Sequence, residues 1–279
     1  MKNLIQQQRD ITRGSQMLQN KHAVVFGAGG SIGSVVAKTF AAEGAEVFLS
    51  GRTKSNIEKV ANEITKAGGI AHATALDALD DIAVNKYIDD IVKQTGGIDI
   101  VFNAMGPLIQ EYDNGKHAID LTLAKFMIPI TTVLKSQFIT AQAAARHMVK
   151  QYSGVIIFIT GSPARGHVEG ATAIGAAFGA IESFMENLAV EVSPSGVRAV
   201  CLRTTANTDS RTIQETMDAL AGTMNVTKEQ MIAQIAGLNF LKVPASVNDT
   251  ANAAVFLASE KARMITGTVF NATAGAALD

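Results

Sequence analysis

From Lys21 almost to its end, the chain alternates short β-branched runs with stretches of helical period. That alternation restricts the fold more than any single motif does. HAVVFG (22–27) stops at glycines and passes into SIGSVVAKTFAAEG (31–44), whose apolar residues recur at helical spacing. AEVFLSGR supplies a second strand. The helix SNIEKVANEITKAGG follows, with Ser55 and Glu58 spaced as a capping box and Gly68-Gly69 as its end. IAHATALD reads as a third strand, and the next helix enters at Asp80 or Asp81 and closes at Gly96-Gly97. IDIVFNAMG (98–106), GVIIFITG (154–161), VRAVCLR (197–203) and GTVFNAT (267–273) bring the strands to about seven. Strands joined through helices need right-handed crossovers, which predicts an α/β fold with a parallel sheet and helices on both faces.

No Pro-rich or Ser-rich linker divides the chain, so one domain over residues 18–279 is expected, preceded by an extension over 1–17. Residues 208–242 break the alternation with two helical pieces, TIQETMDALAG and TKEQMIAQIAGL. An insertion at the carboxyl end of a parallel sheet lies where ligands bind. It reads either as a lid or as a cap packed on the core.

Nearly balanced charge (net −1) and the lack of a basic cluster argue against a nucleic-acid partner. The longest apolar runs, such as VIIFIT (155–160), fall far short of the roughly 20 residues a membrane helix needs. The first twenty residues do not have the build of a signal peptide. The one cysteine, Cys201, sits in an apolar run, which excludes an internal disulfide and any cysteine pair for a metal. A soluble, cytoplasmic protein without a metal is expected.

The loop VVFGAGGSIGSVVA is the most informative local motif. Glycines let the backbone turn tightly and approach a phosphate, and the helix N-terminus beyond them offers free N–H groups. The spacing is Gly27, three residues, Ser31, one residue, Gly33, with Gly30 between and Ile32 where a glycine would complete G-x-G-x-x-G. Taken with DIVFNAMG, SFMENLAVEVSPSGVRAV and ANAAVFLASEKARMITGTVFNATAG, in that order and spacing, the chain resembles the short-chain dehydrogenase/reductase family from about residue 18 to 275. Phe26 stands where that family carries Thr, Ser31 where it carries Gly, and Thr273-Ala274 where it carries Asp-Gly. The resemblance implies an NAD(P)-binding, Rossmann-like, doubly wound sheet in the order 3-2-1-4-5-6-7, and assembly as a homodimer or homotetramer. It also implies a cofactor site built from Gly27, Gly30, Ser31, Ile32, Gly33, Asp77, Ala78, Asn103, Ala104 and Thr160. Ser31 has a second reading as the cap of the first helix. The second strand ends in Leu-Ser-Gly-Arg-Thr with no carboxylate, so Arg52 and Thr53 favour the 2′-phosphate of NADP(H) over the ribose of NAD(H).

The same resemblance implies a Ser, a Tyr and, four residues after the Tyr, a Lys, with an Asn on an earlier helix. Counting from the flanking motifs, the Ser slot holds Gly161, the Tyr slot Ile174, the Lys slot Phe178, and the Asn slot falls near Val133. No lysine occurs between Lys150 and Lys228 and no tyrosine after Tyr152, so register slippage cannot restore the pair. Two readings stay open. Proton transfer is performed by other groups, with Ser162, His167 and Tyr112 as candidates, Glu169 beside them, and Arg165 to steady an anion. A carbonyl, alcohol or enone substrate fits that reading. Alternatively, the chain keeps the fold as a silent cofactor-binding or scaffold protein.

Overall fold

The computed structural model describes residues 16–107, 109–166, 168–224 and 226–279. Its centre is a seven-stranded parallel sheet in the order β3-β2-β1-β4-β5-β6-β7. The strands are β1 (His22–Phe26), β2 (Glu46–Gly51), β3 (Ile70–Ala75), β4 (Ile100–Asn103), β5 (Gly154–Gly161), β6 (Val197–Thr204) and β7 (Thr268–Ala272). This is the expected doubly wound sheet and strand order.

Alternating side chains along each strand serve two cores. Val24, Phe26, Val101, Ile156 and Phe158 join one apolar cluster, while Ala23, Val25, Ile100, Phe102 and Ile157 join the other. Both faces being covered explains why the strands read as unbroken apolar runs. Helices α1 (Ser31–Ala42), α2 (Lys54–Lys66) and α9 (Val247–Ala258) cover the second cluster's face. Helices α3 (Asp81–Thr95), α5 (Lys135–Gln151) and α6 (Thr172–Val192) cover the first. A short α4 (Leu123–Pro129) runs through a π-helical turn (Ile130–Leu134) into α5.

The start of α2 differs from expectation. The capping box expected at Ser55 and Glu58 does not form, because α2 begins at Lys54 with Thr53 as its N-cap. Asp80 does cap α3, accepting from Ala83 N at 3.0 Å. Complete capping boxes occur at Thr227/Gln230 and Ser246/Asp249.

Strand β1 pairs with β2 on one side and β4 on the other, with Phe26 opposite both Ser50 and Asn103. The chain winds away in opposite directions from this point, so a crevice opens beyond the carboxyl ends of these strands. The inserted segment forms α7 (Arg211–Met224) and α8 (Lys228–Gly237). Its stem is tied to the segment before α9: Thr208 N donates to Ala245 O at 2.9 Å, and Val247 N to Asp209 Oδ1 at 2.8 Å. No helix among the described residues is long and apolar enough to cross a membrane.

Candidate cofactor cleft and active site

A cleft of about 180 Å³ opens at that crevice. The phosphate loop supplies Gly27, Gly29 and Gly30, β2 and its turn supply Ser50 to Thr53, and Ala78 and Ala104 close the far wall. Gly27 has φ +71°, and a β-carbon there would come within 2.9 Å of the Ala104 carbonyl carbon. Only glycine fits such a turn against a neighbouring strand. A β-carbon on Gly33 would collide with Gly27 O, so this glycine lets α1 sit directly behind the loop. Gly30 is the N-cap of α1 and has no side chain to satisfy the helix's first N–H groups. A glycine-walled loop before an uncapped helix N-terminus suits an anionic group such as a dinucleotide diphosphate.

Of the residues expected to bind cofactor, Gly27, Gly30, Arg52, Thr53, Ala78 and Ala104 line the cleft. Asp77 lines an adjoining hollow of about 420 Å³ that shares Arg52, Met105 and Gly106 with it. The rest act from behind the wall. Ile32 packs against the core, and Asn103 is buried, accepting from Met105 N at 2.9 Å and donating to Thr140 Oγ1 at 3.0 Å. Asn103 therefore shapes the turn after β4 instead of facing the cleft. The Thr160 hydroxyl is also turned away, donating to Glu182 Oε1 at 3.0 Å beside Cys201 Sγ.

Ser31 corrects its expectation as helix cap. It is the first residue of α1, behind the N-cap Gly30. Its hydroxyl instead accepts from the backbone N–H of Arg211, the first residue of α7, at 2.9 Å. Arg211 also lines the cleft. Sequence reasoning missed it, since nothing in the inserted helix's pattern marks one exposed arginine. The unusual serine in the glycine loop was the only hint.

At the β5 end, Ile174 is buried in the first core cluster and Phe178 packs against that cluster one helical turn later. A β-carbon on Gly161 would lie 3.0 Å from Phe178 Cε2. The ring thus takes the space that a side chain at Gly161 would need. Val133 is buried within the π-helical turn.

The candidate proton donors fare differently. Tyr112, expected on an open loop, is buried in the core, and burial pushes its phenol up to about 12. That placement sets its ring among core side chains. His167 lies outside the described residues. Glu169 is exposed and pairs with His117 at 3.0 Å. Ser162 is nearly buried at the end of β5, where its carbonyl accepts from Arg165 N and Gly166 N. Arg165 is exposed and leans 3.6 Å from Glu182.

Glu182 and Arg203 form a buried pair that was not anticipated. Arg203 Nε and Nη2 each donate to Glu182 at 2.9 Å, and both residues are 1% exposed. Arg203 Nη1 donates to Asp279, whose carboxyl is held below its ordinary range by that guanidinium. Cys201 is fully buried next to them, and burial pushes its thiol up to about 12. Cys201 is thus a buried core residue.

Fold and cleft together define a doubly wound α/β protein with a glycine-walled cleft at the switch point of its sheet. Comparison with known proteins gives the family. The sequence profile of the enoyl-(acyl carrier protein) reductase family matches residues 27–277, and the chain belongs to the short-chain dehydrogenases/reductases. It is 28% identical over 258 residues to the 7α-hydroxysteroid dehydrogenase of Escherichia coli K12, covering 92% of this chain and 94% of that one. It is 30% identical over 269 residues to an uncharacterized oxidoreductase of Bacillus subtilis 168, with 92% and 91% covered. Among solved structures it superposes with a TM-score of 0.80 and 25% identity on a Beutenbergia cavernae protein provisionally assigned as an NAD(P)-dependent gluconate 5-dehydrogenase, over 94% and 98% of the two chains. That structure holds NADP at low occupancy.

Proposed function

We propose that the chain is an NADP(H)-dependent oxidoreductase whose active site does without the family's serine, tyrosine and lysine. The observation that carries the cofactor choice is the lining of the cleft. Arg52 and Arg211 are the only charged residues among those lining it, and its carboxylate neighbours, Asp77 and Glu111, line the adjoining hollow. Arg52, at the carboxyl end of β2, stands where the adenosine ribose of such a cofactor would lie. A guanidinium presents a planar fork of donors that matches a phosphate. The relative that holds NADP gives independent support.

The reaction follows from what surrounds Gly161. Reducing a ketone places charge on a carbonyl oxygen, which needs a nearby acid. Ile174 and Phe178 offer none. In an activated C=C bond, hydride adds to the β-carbon, the electron pair moves into an enolate, and the α-carbon takes its proton afterwards. That second step tolerates water as donor. Reduction of an α,β-unsaturated carbonyl compound is therefore favoured over ketone reduction. The description of the matching family profile agrees with that choice.

Two measurements test this reading. NADPH oxidation is followed with enones and ketones in parallel, and turnover of the enones alone is expected. Nucleotide affinity is then compared with Arg52→Ala, which should weaken NADPH roughly tenfold or more and leave NADH unchanged. Equal losses for both nucleotides would remove the NADP(H) assignment. If both nucleotides bind and no substrate turns over, the chain is a silent cofactor-binding protein.

A further inference from the structure

The link between Ser31 and Arg211 joins the phosphate loop to the inserted helix. We infer that α7 is the second half of the diphosphate site, with Arg211 as its cation and Ser31 as the anchor that holds it there. The inference rests on the cofactor reading above and adds to it a residue from outside the glycine loop.

The first turn of α7 has N–H groups without partners inside the helix. Ser210 Oγ accepts from Ile213 N at 3.4 Å, and Ser31 Oγ accepts from Arg211 N at 2.9 Å. The helix is thus capped partly by its own chain and partly by the phosphate loop. A glycine at position 31 would provide no hydroxyl for this, so the serine has a specific consequence.

The anchor fixes where the arginine side chain begins. Arg211 lines the cleft with Gly29 and Gly30, the walls of the phosphate loop. Arg52 enters the same cleft from the turn after β2. The lining of the cleft thus carries two cations and no carboxylate, with Asp77 and Glu111 in the hollow that adjoins it. A dinucleotide phosphate has negative charge in two places, the diphosphate and the 2′-phosphate. Arg52 suits the second and Arg211 the first. Arg211 is more than half exposed, and its 3.6 Å contact with Glu215 is an exposed pair that breaks at little cost. Its guanidinium is therefore available to a ligand.

The test exploits the fact that NADPH and NADH share the diphosphate but not the 2′-phosphate. Affinities of the full-length protein for both are measured by fluorescence titration with Arg211→Ala and Arg52→Ala. Arg211→Ala should weaken both nucleotides by a similar factor, roughly ten- to a hundredfold, the effect of one charge-assisted contact. Arg52→Ala should weaken NADPH alone. Arg211→Gln, which keeps the backbone donor and most of the side-chain stem, should fall with Arg211→Ala. Ser31→Ala should weaken both nucleotides and speed amide hydrogen exchange at the start of α7. Unchanged affinity in both Arg211 variants overturns the inference. So does a loss confined to NADPH, which would put Arg211 at the 2′-phosphate. A wild-type protein that binds neither nucleotide defeats the cofactor reading itself, and this inference with it.

Discussion

Phe178 lies over Gly161 so closely that the two positions are chemically one. A β-carbon at Gly161 would meet ring atom Cε2 at 3.0 Å, tighter than ordinary packing, and the ring is partly held by the core behind it. Gly161→Ser alone should therefore destabilise the fold by about 1–3 kcal/mol, the usual cost of overpacking. Phe178→Ala removes the obstacle and leaves a gap in its place. The double variant should be more stable than the sum of the two losses predicts, with a coupling of about 0.5–3 kcal/mol. Urea unfolding of the three variants checks this, and strict additivity would show that the ring yields freely. Such a coupling would tie the choice of residue at 161 to that at 178. Tyr112 teaches the opposite lesson at the same scale. Polar neighbours surround it in PLIQEYDNGK, yet Tyr112 is buried and its phenol is raised to about 12. A local pattern places a residue on an element and does not say which way one ring turns.

At the scale of elements, the Glu182–Arg203 pair joins α6 to β6, with Thr160 of β5 donating to the same carboxylate. Two charges withdrawn from water hold each other through two 2.9 Å bonds. Removing one leaves the other buried without compensation, which costs far more than the pair contributes when intact. Glu182→Ala should lower stability by about 3–5 kcal/mol. Exchanging both residues for apolar ones of similar volume, Glu182→Leu with Arg203→Met, should recover most of that loss. Thermal melting of the single and double variants separates the two cases, and equal losses would mean that packing, not charge, dominates there. No sequence pattern announced this pair, because Glu182 and Arg203 meet only when α6 lies back across β5 and β6. The strands themselves were legible, since each is a short apolar run set between helical stretches. GVIIFITG gave the bounds of β5 to the residue. Helix starts were less so, as the displaced cap at Thr53 shows. Within the cleft, Gly27, Arg52 and Ala104 were legible because they follow strands in a fixed order. Arg211 was not, because it reaches the cleft from an element placed by long-range contact.

For the whole molecule, the question is whether Gly161, Ile174 and Phe178 sit where side chains installed at those positions would act together. The sheet order, the crevice between β1 and β4, and the glycine loop are all in place. Ile174 and Phe178 are four residues apart on α6, so they lie on one face of the helix. Phe178 lies close to the end of β5, where a β-carbon on Gly161 would come within 3.0 Å of its ring. Installing Gly161→Ser, Ile174→Tyr and Phe178→Lys together would set a hydroxyl, a phenol and an ammonium on this frame. The ammonium lowers the phenol's pKa from about 10 by favouring its charged form. That gives ketone reduction the acid that the natural chain does not offer at these positions. The triple variant should be less stable than the parent, because a lysine replaces a ring packed on the core. It should nevertheless reduce simple ketones with NADPH above the parent's rate, with a pH profile that the parent does not show. Nucleotide titration on the same sample is the control. Intact NADPH binding with no gain in ketone turnover would mean that the nicotinamide end of the cleft no longer faces α6, and would count against hydride transfer at this site.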